Sequence, residues 1–367
     1  MLEKNGTQND SGRSAGHYRR FLSIVMVVFV AGLLSNVALS AWSFGRLTET
    51  TRALCSFIDS KVTAASRIDG PKLLFIGGSN LHQGLSAQRI SEAVDVPSFN
   101  FGLQAGLGPR LVLFEAKRVL RPGDTAFLVL EYNHYTDDRW NEVSSDILFG
   151  CAADYFRQMS IFEKIEALLS LTPFRVFNLL TLGGKAGPQE RNTAPSDDER
   201  APRLRYGDRA ASDSEVVDEA TRRRLQLYQP MPISIRPDAE GPKAIASFIE
   251  WARAHRVKVV ATWPNTIYFS AYGSASGFVG ITNFYKELGV PVIGRPQDAM
   301  YPTDLFHDTQ YHLNAKGIVQ RTTDMIAMIN ANPWLLPAHL VKAEYSIDAI
   351  HVDPSDSHGQ SGTWSTR

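Results

Sequence analysis

Residues 21–42, FLSIVMVVFVAGLLSNVALSAW, carry no charged side chain. At about 1.5 Å per helical residue such a run crosses a ~30 Å hydrocarbon core. It predicts a transmembrane helix, so whatever folds after it must fold on one side of a membrane. Lys4, Arg13, Arg19 and Arg20 precede the run and few basic residues follow it closely. The positive-inside bias therefore places residues 1–20, a polar tail, in the cytoplasm and the remainder outside. Ala38-Leu39-Ser40 also fits a small-x-small cleavage site. The apolar run exceeds the roughly 7–15 residues of a signal-peptide core, which favours an uncleaved anchor. Both readings export the rest of the chain.

The other residues have the makeup of a folded protein, with 44% hydrophobic and 21% charged side chains in 367 residues. Thirty-eight basic residues balance 38 acidic ones, and no basic stripe interleaves with aromatics, which argues against a nucleic-acid partner. Two cysteines, Cys55 and Cys151, exclude a disulfide-rich scaffold and a multi-cysteine zinc module. In an oxidising compartment they can pair, or both can be buried thiols.

Residues 43–70 read as a mostly helical stalk, and a folded domain is expected over 71–332. Short apolar strands at 72–76, 98–101, 125–130 and 257–262 alternate with helical patterns near 87–94, 111–120, 242–255, 282–288 and 314–329. This pattern predicts an α/β fold, a parallel sheet with helices on both faces. A further short strand at 290–293 contains Pro291 and is expected at a sheet edge. The alternation lapses over about 136–230, an insertion with a helix-rich part at 161–180 and a polar, loop-like part at 183–214. Residues 333–367 form a C-terminal extension with a polar tail from about Asp353.

In a parallel sheet, ligands gather where the strands end. The first strand ends in Gly77-Gly78-Ser79-Asn80, a turn that can expose Ser79 as a nucleophile or simply N-cap the next helix. The second leads into Asn100-Phe101-Gly102-Leu103-Gln104-Ala105-Gly106, where Gly102 or Gly106 can offer an unobstructed N–H to an oxyanion. The third ends in Glu131-Tyr132-Asn133, whose amide can be a second donor. Before the last helix stand two aspartate–histidine pairs, Asp304/His307 and Asp308/His312, either of which can act as an oriented general base. The four residues together could also hold a metal. Trp263 and Tyr268 are candidates for stacking against a sugar.

The order Gly-Gly-Ser79-Asn, Asn100-Phe-Gly-Leu-Gln-Ala-Gly106, Tyr-Asn133 and Asp308-x-x-x-His312-Leu-Asn-x-x-Gly resembles the four blocks of the SGNH (GDSL-like) hydrolase superfamily over 72–135 and 257–330. Gly78 stands where the Gly-Asp-Ser signature has aspartate. The resemblance implies a flavodoxin-like SGNH fold and acyl-ester chemistry without a cofactor. Ser79 would be the nucleophile, Gly106 and Asn133 the oxyanion donors, His312 the base and Asp308 its orienting carboxylate. With the membrane anchor, the chain also looks like the superfamily's bacterial envelope members, the alginate acetylation proteins and the D-alanyl-lipoteichoic-acid biosynthesis protein. That likeness implies a single-pass protein of the inner membrane with a periplasmic domain. Its expected partners are an acyl donor, a polysaccharide acceptor and a membrane-bound acyltransferase. The expected activity is O-acyl transfer or ester hydrolysis; a non-catalytic scaffold of a polysaccharide export complex is the alternative.

Overall fold

The computed structural model describes residues 10–138, 140–170, 173–181, 205–209, 217–274 and 276–337. The start of the expected cytoplasmic tail, most of the polar loop at 183–214 and the C-terminal tail lie outside these residues.

The uncharged run lies inside a longer helix, α1 (Asp10–Ser43). It is long and apolar enough to cross a membrane, and its apolar side chains are exposed. No proline interrupts 10–43, so the helix continues back into the segment expected as a polar tail.

The stretch read as a stalk contains α2 (Glu49–Ser66), capped by Thr48, whose hydroxyl accepts from the Thr51 N–H. Cys55, Ile58, Val62 and Ala65 recur at helical spacing and are buried in the main core. This helix is therefore part of the domain rather than a spacer before it.

The sheet follows with β1 (Leu73–Gly77), α3 (Ser79–His82), α4 (Ala87–Val94), β2 (Ser98–Gly102), α5 (Gly108–Lys117) and β3 (Thr125–Val129). An insertion contributes α6 (Glu142–Gly150), α7 (Ala153–Gln158), α8 (Ile161–Leu169), α9 (Pro173–Thr181) and α10 (Glu219–Gln226). Then come α11 (Glu240–Ala254), β4 (Lys258–Ala261), β5 (Thr266–Ile267), α12 (Gly277–Glu287), β6 (Met300–Tyr301) and α13 (Ala315–Asn330).

The main sheet is parallel, in the order β2-β1-β3-β4, and β5 pairs with β6 in a second, two-stranded ladder. The strand expected at 290–293 is reduced to a single parallel bridge between Ala261 and Val292. Pro291 has no N–H to donate, so the pairing consists of Ala261 N–H to Pro291 O and Ile293 N–H to Ala261 O, each 2.9 Å.

Alternate residues face opposite sides. Leu74, Ile76, Ala126 and Leu128 join the core under α5 and α11, while Leu73, Phe75, Phe127 and Val129 join the core under α13. At about 25 cal/mol per Å² of apolar surface, these two layers supply the main driving force for folding. Cys55 and Cys151 form a disulfide that ties α2 to the end of α6.

Candidate active site

The order β2-β1-β3 reverses direction at β1, so the crevice at the carboxyl ends of β1 and β3 is the topological switch point. Ser79 opens α3 immediately beyond β1 and is half-buried.

Beneath it lies Glu131, completely buried at the end of β3. Its carboxylate accepts the N–H of Gly78 at 3.1 Å and of Asn80 at 3.0 Å, flanking Ser79 on both sides. A Cβ on residue 78 would collide with both Glu131 oxygens. Gly78 is therefore glycine for a steric reason: the place its side chain would take is filled by a carboxylate reaching in from β3.

Gly102 and Gly106 part company. The Gly102 N–H donates to Asn100 Oδ1 at 2.9 Å, and a Cβ there would strike the backbone of His82. Its role is close packing against α3. Gly106 stands in a half-buried turn, Ala105–Leu107, where a Cβ would only touch Val143. That turn is tied to the β3 loop through Ala105 O, 3.1 Å from His134 Nε2. Asn133 lies in the same β3 loop and is exposed.

His312 Nδ1 lies 2.7 Å from Asp308 Oδ1. This contact leaves Nε2 as the nitrogen able to take a proton. The surrounding loop is fastened by hydrogen bonds from several segments. Leu313 N–H donates to Gln83 O just past α3 (3.1 Å), Tyr132 N–H donates to the Tyr311 phenol oxygen (3.2 Å), and Asn265 Nδ2 donates to Tyr311 O (2.6 Å). The first two bonds join the loop to the segments bearing Ser79 and Asn133, and the third joins it to the stretch between β4 and β5. Asn314 then N-caps α13, its side chain accepting from Gly317 N–H at 3.0 Å. Asp304 is exposed, and its carbonyl accepts from Asn314. Among the described residues, no three or more of the His, Cys, Asp and Glu side chains converge to hold a metal ion.

Sequence reading missed a buried layer behind the site. Lys61 of α2 donates to Asn100 O (2.8 Å) and Gly207 O (2.5 Å), and its Nζ lies 3.3 Å from His82 Nδ1. Burial pushes this lysine down to about 7, against the opposing pull of Asp208. His82 is held neutral, well below its ordinary range, first by burial and then by the charges of Lys61, Arg209 and His312. Asp208 caps α4, accepting from Ala87 N–H (2.7 Å), Gln88 N–H (3.0 Å) and the Ser86 hydroxyl (2.9 Å). Burial raises its carboxyl above the usual range despite these bonds. Arg209 contacts Gln83 Oε1.

Of the two aromatics proposed for sugar stacking, Trp263 is buried and donates to Gly294 O at 3.0 Å, so it is a core residue. Tyr268 is exposed. No protein-family model matches this chain, and no curated protein matches it.

Proposed function

We propose that the chain is a membrane-anchored extracytoplasmic serine O-acyltransferase or esterase of the SGNH type, acting on an envelope or exported polysaccharide. The observation that carries this reading is the Asp308–His312 contact, on a loop bonded directly to the end of the α3 turn that begins with Ser79. The strand order β2-β1-β3-β4 supports a flavodoxin-like sheet. The Cys55–Cys151 disulfide supports an oxidising compartment, in keeping with α1 as the membrane span and its N-terminus in the cytoplasm.

In this mechanism His312 Nε2 takes the Ser79 hydroxyl proton as Oγ attacks the acyl carbonyl, while Asp308 steadies the imidazolium. The Gly106 N–H and the Asn133 amide donate to the tetrahedral oxyanion. Collapse breaks the bond to the donor's leaving group, which receives the proton from His312, and leaves an acyl-serine. A sugar hydroxyl, deprotonated by His312, then attacks that ester and frees Ser79; water in its place gives hydrolysis.

A fluorophosphonate probe on the full-length chain is expected to label Ser79, and labelling is expected to collapse in His312→Ala. Absence of both labelling and activity on a chromogenic acetyl ester would turn the reading to a non-catalytic scaffold.

A further inference from the structure

An amphipathic helix normally turns its apolar stripe towards the protein. α8 does the reverse. At about 100° per residue, Ile161, Phe162, Ile165 and Leu169 fall on one arc. All four are exposed, Phe162 to 80%, while Ala167, the buried residue of this helix, lies on the opposite side. Phe177 and Leu180, one turn apart on α9, are exposed to 60% and 64%.

Both helices touch α1. The height at which α9 meets it is marked by Arg175, which is buried. Arg175 pairs with Asp146 at 2.8 Å and donates to Ser43 O (3.3 Å) and Arg46 O (2.9 Å), at and just beyond the end of α1. A cation at a helix C-terminus is stabilised by the dipole and by the unpaired carbonyls there. One turn back, Trp42 carries the Arg46 guanidinium 4.1 Å from its ring centroid, the kind of aromatic–cation pair found at the headgroup level. Phe44 packs on Phe149 and Phe156, so the chain leaving α1 is set into the domain and does not swing on a tether.

We infer that the outward faces of α8 and α9 lie in the outer-leaflet interface of the bilayer crossed by α1, with Ile161, Phe162, Ile165, Leu169, Phe177 and Leu180 immersed among the acyl chains. The occupant is lipid because both helices touch α1, whose own apolar side chains are exposed, and α9 does so near the end of α1 marked by Trp42 and Arg175. A helix of this kind binds by its buried apolar area. The inference rests on the reading of α1 as a membrane span.

The test uses the full-length chain in nanodiscs of phosphatidylethanolamine and phosphatidylglycerol doped with a diazirine-bearing phospholipid, irradiated and mapped by mass spectrometry. Adducts are expected on α1 and on peptides carrying the α8 and α9 residues. The latter should be several-fold above peptides carrying Leu227 and Val279, which are as exposed but lie beyond α10 and on α12. In Phe162→Glu/Ile165→Glu, which removes no buried side chain, adducts on α8 should fall to that background while those on α1 persist. Labelled α1 with α8 and α9 at background overturns the inference and leaves the span reading standing. This holds also if a second copy covers the face, seen as a dimer by native mass. Adducts on α8 that survive the double substitution overturn it too. An unlabelled α1 overturns the span reading and the inference with it.

Discussion

The loops bearing Ser79, Asn133 and His312 are joined by hydrogen bonds alone, two from the Ser79 turn to the Glu131 carboxylate, one from Leu313 to Gln83 and one from Tyr132 to Tyr311. The region where α1 enters the domain is secured differently, by a disulfide and by a buried guanidinium bridging Asp146 and two backbone carbonyls. Each bond at the first region contributes on the order of 1 kcal/mol net. The disulfide closes a loop of 96 residues and contributes about 2–5 kcal/mol. The contrast is a division of labour: at the sheet edge hydrogen bonds hold side chains that stay partly exposed, while the junction also fixes the domain covalently.

The division can be broken by substitutions that move one property alone. Ser79→Ala, at a half-buried hydroxyl, should lower ester turnover by about 10⁴-fold or more, while the thermal midpoint stays within a degree or two. A parallel loss of stability would make Ser79 structural. Cys55→Ser should do the opposite, costing about 2–5 kcal/mol in denaturant titration with probe labelling per folded molecule unchanged. If turnover fell with it, the two regions would be coupled.

Asp308→Asn should slow turnover by about 10²-fold, less than for a fully buried triad aspartate, because the Asp308 side chain is 40% exposed. An unchanged rate would remove Asp308 from the mechanism.

The smallest effect concerns Lys61. Burial holds its folded value near 7, below the 10.5 of the unfolded chain. Between these values the unfolded chain binds the extra proton, so this group makes the fold more stable as pH rises above about 7. Lys61→Met should flatten the stability–pH slope over that range, by up to about 1.4 kcal/mol per pH unit. Identical slopes in the two proteins would mean the ammonium is fully stabilised in place.

Much of the sheet was legible because strand ends and helix starts are written locally. Gly77-Gly78, the apolar run 125–129 and the Asn314 cap lie within a residue or two of where they were expected. What escaped depends on contacts between distant segments. The apolar stripe of α2 announces a helix but not what it packs against. Glu131 and Lys61 are residue types that usually seek water, and only the tertiary structure shows each meeting partners that pay for its burial. Pro291 pointed to a weak edge, yet the loss of an entire strand to one bridge depended on how Val292 meets Ala261. The glycine before Ser79 had no local explanation, because the carboxylate that fills the place of its side chain lies 53 residues away, just beyond β3.

The Lys61 contact with Asn100 O has a bearing beyond the site. Asn100 belongs to β2, the outermost strand of the sheet, and an open strand edge is a template on which another chain can add itself. Here the ammonium occupies one of its outward carbonyls, and Gly207 comes so near that a Cβ on it would collide with that same Asn100 oxygen. The lysine that shares hydrogen-bonding distance with His82 thus also acts as a bolt on the sheet's margin. The edge gains this protection from strand-to-strand aggregation only once α2 has docked.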